Sequence, residues 1–399
     1  MLPFLNLAHA FDHFFLLIFP TAVLALGEAW AMPYGEVLAL GTPAFVVFAL
    51  ATLPVGWLGD RVSRTSLMSV FFVGIGASSV LVGLAPGPVG IAVALGLLGL
   101  FAAIYHPVAT ALVVQHAAKR GAALGINGVF GNLGVAFAPL VTGALCASVG
   151  WRAAFIVPGL IAILTGLLFM AGPARREARE GHRAAAPDHR PAPPARAQVR
   201  VFAVVALTAL FGGIVFNGIT VALPKVFEER LAGLVSGISE VGLAASLVFM
   251  VASFAQIGMG RLLDRVGARP VLLGCAALQT VLFIAIIGAG GPLLLLLSVP
   301  LMLVVFGEIP VGAWLVGHYA APGWRSRIYG VQYLLALGVS AGVVPMIAVL
   351  HEMSGGFGAM FALLAGAAAV VTIAACFLPR RTGEQPAEPP LERIRPATG

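Results

Sequence analysis

The sequence predicts an all-α integral membrane protein with twelve transmembrane helices in two pseudo-symmetric bundles of six. Three observations carry this reading. Hydrophobic residues make up 60% of the 399 and charged residues only 10%, too little polar surface for a soluble domain. Apolar runs of roughly 20 residues, each able to cross about 30 Å of hydrocarbon as a helix, follow one another along almost the whole chain. The second half of the chain repeats the pattern of the first. Only helices or closed barrels satisfy their backbones in lipid, and these runs have helical length.

The first run, Leu2 to Leu24, has neither a basic leader nor a small-residue cleavage site, so it is expected to be a retained helix and not a signal peptide. Glu28 and Glu36 separate it from the second, Val37 to Gly59, which ends in the polar "DRVSR" before the third, Ser66 to Ala85. The fourth, Val89 to Val114, is divided by Lys119 and Arg120 from the fifth, Ala122 to Ser148; Arg152 opens the sixth, Trp151 to Gly172. Then comes "ARREAREGHRAAAPDHRPAPPARAQVR", rich in Ala, Arg and Pro and expected to be a disordered or semi-rigid linker. The seventh run, Val201 to Pro224, is followed by Lys225 to Arg230, and the eighth, Ser236 to Gly260, by "RLLDRVGAR". Pro270 to Gly290, Pro292 to Gly317, Ser326 to Leu350 and Gly356 to Leu378 complete the twelve. The predicted organisation is therefore 1–173 as an N-terminal bundle, 174–200 as a cytoplasmic linker, 201–378 as a C-terminal bundle and 379–399 as a cytoplasmic tail. Cys146, Cys275 and Cys376 fall inside apolar runs, with neither a disulfide framework nor metal-ligand spacing, and are expected to be packing residues.

Charge sets the orientation. With the N-terminus inside, 20 of the 23 basic residues lie in cytoplasmic segments, seven of them in the linker, and only Arg152, Lys225 and Arg230 lie outside. The positive-inside rule places both termini in the cytoplasm of a cell whose plasma membrane, a bacterial inner membrane, holds the protein. The net charge of +7 is then a topology signal and not a nucleic-acid footprint.

The repeat is explicit. An offset of 204 aligns "GEVLALGTPAFVVFALATLPVGWLGDRV" with "SEVGLAASLVFMVASFAQIGMGRLLDRV", so that Glu36 meets Glu240, Gly56 meets Gly260, and Asp60, Arg61 and Val62 meet Asp264, Arg265 and Val266. Pro20 meets Pro224 at the same offset, and Pro107 meets Pro310 one residue away from it. A six-plus-six repeat with both ends inside is the plan of a transporter that rocks two bundles around a midplane site.

"GWLGDRVSR" at Gly56 to Arg64 and "GRLLDRVGAR" at Gly260 to Arg269 resemble the two copies of the Gly-x-x-x-Asp-Arg signature of the major facilitator superfamily. The resemblance implies that fold over about Leu5 to Leu378. It also implies an inner gate latch at Gly56, Asp60, Arg61 and Arg64, with a second copy at Gly260, Asp264 and Arg265, where Arg269 falls one residue later than Arg64. Physically, the glycine would let the second helix approach a neighbour, and the charges would meet a helix end or partner at the cytoplasmic surface. A finer likeness joins "AHAFDH", "YHPVAT" and "GNLGVAFAPLVTG" to relatives of the fosmidomycin-resistance exporters, although Val108 stands where that subgroup tends to carry an acid. The last stretch also resembles the fifth-helix signature of proton-coupled drug antiporters, with Ala138 in place of the glycine before Pro139.

Ionisable groups at the bilayer midplane are costly and point to function. Only two acids lie deep, Asp12 and Glu308, and with His106 they stand at one depth, each about 15 Å from the inner end of its helix at 1.5 Å per residue. Spacings of three and four stack Asn6, His9, Asp12 and His13 on one face, which must meet a wet cavity or polar partners. Asn217 occupies the position matching His13 in the second half. His9, Asp12, His13, His106, Asn217 and Glu308 are thus the candidate proton-coupling and substrate-cavity residues, with a hydrogen-bonded cluster holding helices together as the structural alternative. Tyr105, Tyr333, Gln332, Gln256 and Trp314 are softer candidates, and Phe14, Phe15 and Phe19 are expected to be ordinary apolar surface.

The expected function is secondary active transport of a small solute by alternating access, with proton-coupled efflux ahead of proton-coupled symport. No Walker-type phosphate loop is present for an ATP-driven pump. The expected partners are the solute, protons and the lipid bilayer, acting on a monomer without cofactor, resident metal or nucleic acid. His9, Asp12 and His13 have a spacing able to bind a divalent ion, so a membrane-embedded enzyme is a remote alternative, as is a non-transporting receptor. The paired gate motifs have no purpose in an enzyme.

Overall fold

A computed structural model describes residues 1–59, 61–116, 120–176, 195–231, 233–320 and 325–379. Among these residues twelve helices are long and apolar enough to span a membrane: α1 Leu2–Trp30, α2 Tyr34–Gly59, α3 Arg64–Leu84, α4 Pro88–Val113, α5 Ala123–Ser148, α6 Trp151–Ala174, α7 Gln198–Arg230, α8 Ile238–Val266, α9 Ala268–Ile286, α10 Gly291–Tyr319, α11 Ile328–Ser354 and α12 Gly358–Cys376. No strand occurs among the described residues. Helix enters both ends of the stretch expected to be a linker: α6 runs to Ala174, and a helix begins again at Ala195. Residues 177–194 and 380–399, which hold the rest of the expected linker and the tail, lie outside the described residues.

Helix α1 extends past the expected end at Leu24 to Trp30, because Pro20 interrupts one hydrogen bond without ending the apolar face. The stop comes at Ala31, whose left-handed φ of 50° closes the C-terminus. Two other prolines do break their helices. Pro43 has no N–H to offer Ala39, and α2 divides into Tyr34–Ala39 and Thr42–Gly59. Pro107 crowds the carbonyl of Ala103, and α4 divides into Pro88–Ala102 and Tyr105–His116, with Ile104 N–H bonding back to Phe101 over a tighter turn of 3.2 Å. Helices α8 and α11 break as well, after Ser253 and Gly338.

Within lipid, helices gain little by hiding apolar surface from one another, so close main-chain approach at small residues carries the packing. A Cβ on Gly134 of α5 would overlap the Ala10 carbonyl of α1. Between the bundles, a Cβ on Gly143 of α5 would come within 2.6 Å of the Ile238 carbonyl, and one on Gly242 of α8 would overlap the Pro139 carbonyl. Helices α5 and α8 thus meet main chain to main chain across the two halves, and α2 meets α11 on another side of the same interface. Phe15 and Phe19, expected at the apolar surface, are buried instead, because α1 sits among neighbours and not at the rim.

Two of the three basic residues expected on the outer side, Arg152 and Arg230, have a packing reason for their positions. Arg152 Nη1 donates to the carbonyls of Gly83 and Ala85 at 2.8 and 2.9 Å, capping the C-terminus of α3. Arg230 Nη1 donates to those of Ile286 and Ile287 at 3.2 and 2.9 Å, capping α9. Unpaired helix-end carbonyls attract cations wherever they fall, which offsets the topological bias at these two positions.

Candidate functional site

The polar stripe of α1 meets α4 and α5 at mid-depth. Asn127 of α5 joins all three helices. Its Nδ2 donates to the Leu5 carbonyl at 3.2 Å and to Asn6 Oδ1 at 3.0 Å, and its Oδ1 accepts from Tyr105 Oη at 2.9 Å. Its main-chain carbonyl accepts from His9 Nδ1 at 2.7 Å. That last bond places a proton on Nδ1 and leaves Nε2 to face the remaining cluster in the neutral ring. The His9 ring is sandwiched: Tyr105 stacks on one side at 4.7 Å, and Gly131 lies so close that a Cβ there would come within 2.6 to 2.8 Å of three ring atoms.

One turn further along α1 the arrangement changes. Asp12 is fully buried, and its Oδ2 lies 3.2 Å from Nε2 of His106, which is 7% exposed. The distance is that of a hydrogen bond but the alignment is not. Neither Asp12 oxygen, nor His106 Nε2, has a hydrogen-bond partner among the described residues. His13 completes the group, its ring 5.1 Å from His9 and 5.7 Å from His106. The C-terminal half touches the same rings: Tyr333 of α11 stacks on His106 at 5.2 Å, and Phe216 of α7 meets His13 at 6.4 Å.

A small cavity of about 20 Å³ lies where the halves meet, lined by Asp12, His13, Phe45, Phe48, Asn217 and Ser340 among others. It holds the volume of about one water molecule. Asn217 is on its wall, but its Nδ2 is engaged by the carbonyls of Gly213 at 2.8 Å and of Ala336, just before the break in α11, at 3.3 Å. A larger groove of about 280 Å³ between α7 and α12 is lined by Val204, Leu207, Ile373 and Phe377 together with Arg200, and shares no residue with the first.

The structure brings His9, Asp12, His13 and His106 together and sets Asn217 beside them, but it separates Glu308. That carboxylate is buried inside the C-terminal bundle, where its Oε2 accepts from Gln279 Nε2 of α9 at 2.6 Å and its Oε1 lies against Gly212 of α7. Helical rise gives depth without direction, and Glu308 shares the depth of Asp12 while pointing into its own half. Trp314, a soft cavity candidate, donates to Asp264 Oδ1 at 3.2 Å and stacks on His318 at 3.8 Å, which ties α10 to the end of α8.

Of the Gly-x-x-x-Asp-Arg signature, Asp60 lies outside the described residues. Arg61, just past the end of α2, stacks on Trp57 of that helix, 3.8 Å from the ring. Gly56 faces Pro107 of α4, where a Cβ would make ordinary contact at 3.6 Å, and Gly260 has open space around it. Arg64, Asp264 and Arg265 are all engaged in interactions.

Ring nitrogens of His9, His13 and His106 lie within 4.8 Å of one another. A tetrahedral cation with bonds of about 2.0–2.1 Å holds its nitrogens about 3.4 Å apart. The three rings would have to draw closer by rotation to share an ion, with His9 keeping its Nδ1 bond to Asn127 and offering Nε2. Asn127 was not legible as a functional residue; it stands among glycines in "GINGVFGN", where the pattern reads as helix packing.

Comparison with known proteins places the chain in a family. A probable 4-methylmuconolactone transporter of Cupriavidus pinatubonensis is 28% identical over 396 residues, covering 91% of this chain and 87% of that one. The tetracenomycin C resistance and export protein of Streptomyces glaucescens is 33% identical over 131 residues, and the matched stretch spans only 31% of this chain and 24% of that one. The fold is that of the crystal structure of a bacterial homologue of the human lysosomal transporter Spinster, inward-facing and occupied, with a TM-score of 0.71 at 18% identity over 94% of this chain and 95% of that one. The family model of the Major Facilitator Superfamily matches residues 4–238. With more than half of its length matched and twelve membrane-length helices, the chain belongs to the Major Facilitator Superfamily, a family of membrane transporters and not of enzymes.

Proposed function

We propose that this transporter exports a small organic solute in exchange for protons, by exposing the cavity between its halves alternately to the two sides of the membrane. One observation carries the coupling: Asp12 and His106 face each other at 3.2 Å at the junction of the halves, buried and without another hydrogen-bond partner among the described residues. A carboxylate oxygen and an imidazole nitrogen at that distance can share a proton and release it when the surroundings change. In the outward-open state the solute leaves and a proton binds Asp12. In the inward-open state the proton passes through the His13 and His106 side of the cavity to the cytoplasm, and a new solute enters. Asn217 lines the solute path, and His9 holds the cluster in register. Glu308 plays the lesser part, tying α10 to α9 through Gln279 inside the C-terminal bundle. The inner signature, Gly56 with Asp60, Arg61 and Arg64 and Gly260 with Asp264 and Arg265, latches the cytoplasmic side of a monomer whose termini both face the cytoplasm of a bacterial cell.

Likeness to exporters supports this direction: the motifs of α1, α4 and α5 resemble those of the fosmidomycin-resistance group, and one relative is a resistance and export protein. Symport uptake is the second reading. The relative matched along nearly the whole chain is named for transport of one small organic compound, whereas the export protein matches about a third of it.

Reconstitution tests both. Vesicles holding the protein and a pH-sensitive dye are given an acidic interior, then 4-methylmuconolactone or tetracenomycin C is added outside. Antiport predicts that solute entry collapses the gradient. Deepening of the gradient would support symport, and solute flux with no proton movement would overturn the coupling.

A further inference from the structure

At the outer face a second constellation crosses between the halves, and no sequence motif pointed to it. Tyr34 opens α2 directly after Pro33 and reaches from the N-terminal half into a socket of the C-terminal half. Its ring meets His351, near the end of α11, at 5.0 Å and 67°, and Phe357 at 6.2 Å and 67°. Lys225 of α7 places its Nζ 5.4 Å from the same ring. The socket is braced from behind: His351 packs on Phe357 at 4.7 Å, its Nε2 lies 2.8 Å from Glu229 Oε1, and Lys225 pairs with Glu228 and, at 3.6 Å, with Glu229. The next residue of α2, Gly35, is in such close contact with Glu352 that any Cβ would overlap its carboxylate.

We propose that Tyr34 is the outer gate residue of the transport cycle, plugging a socket formed by Lys225, His351 and Phe357 and released from it when the cavity opens outward. This rests on alternating access and is independent of proton coupling. Aromatic edge contacts and the cation over the ring hold the plug by geometry and charge together. One feature opposes permanent closure. The Tyr34 hydroxyl is buried with no hydrogen-bond partner among the described residues, so closure strips it of water without replacement and opening restores it. The plug is therefore held by its ring and loosened by its hydroxyl, a balance that keeps both states within reach.

Two substitutions should move the gate in opposite directions. In a chain lacking Cys146, Cys275 and Cys376, Ser340→Cys places a thiol on the wall of the cavity. Labelling by a membrane-impermeant thiosulfonate added from outside then reports the outward-open fraction. Tyr34→Ala should raise the labelling rate about fivefold or more, and Tyr34→Phe should lower it, as expected for shifts of a kcal/mol or so in a two-state balance. Equal rates in all three proteins would overturn the proposal. A paired test does not depend on the alanine variant folding: Gly35→Cys with Glu352→Cys, in a chain carrying a protease site within 177–194, should oxidise to a link that keeps the halves together on a non-reducing gel after cleavage. Failure of the link to form would place the two helix ends apart and sink the gate. Loss of solute-linked proton movement with these results intact would fault the coupling and leave the gate standing.

Discussion

Two polar arrangements on α1, one turn apart, close their hydrogen bonds differently. Around Asn127, the groups of Leu5, Asn6, His9 and Tyr105 are joined donor to acceptor across three helices. Around Asp12, a carboxylate and an imidazole approach to 3.2 Å and stop without an aligned bond. A buried polar group with all its partners stabilises one arrangement and resists change, while one lacking partners is costly unless another state or ligand satisfies it. The first arrangement has the form of a brace, and the second is the one proposed above to exchange the proton. Spacing along α1 left both roles open for a single cluster; the hydrogen bonds close at one turn and stay open at the next.

The sharpest break of this comparison is Asp12→Asn. If Asp12 exchanges the proton as proposed, solute-linked proton flux in vesicles should fall at least about tenfold while membrane abundance stays close to that of the parent. A smaller and different loss follows from Asn127→Ala. Three side-chain hydrogen bonds disappear, each worth roughly 0.6–2 kcal/mol within a membrane, so the detergent-solubilised protein should melt several degrees earlier while protons moved per solute remain unchanged. A change of that ratio would make the brace part of the working site. The smallest effect is expected from Glu308→Gln. The amide oxygen can still accept from Gln279, so transport should stay within about twofold of the parent if the residue only ties α10 to α9. Loss of coupling in Glu308→Gln together with normal coupling in Asp12→Asn would move the proton site into the C-terminal half.

The twelve helices were legible because each span must be apolar for its full length, and the two-bundle plan because the halves still share "DRV" and its flanking pattern. The titratable stripe of α1 was legible because three-and-four spacing fixes a face. Direction around a helix relative to other helices is not written in spacing alone, which is why Glu308 was grouped with Asp12 and why Phe15 and Phe19 were expected on the surface. Asn127 was hidden for a related reason, since its value lies in partners more than a hundred positions away. Tyr34 and His351 stand at opposite ends of the chain, and only the closure of the halves brings their rings to 5.0 Å.

The contact of α5 with α8 bears on stiffness. Side chains at an interface can change rotamer and absorb displacement, but the glycines there leave carbonyl oxygens against α-carbons, which have no such slack. A joint of that kind resists compression and tolerates rolling, much as an axle does. Displacement at the rim where Tyr34 sits is then passed to the opposite rim with little lost to local repacking.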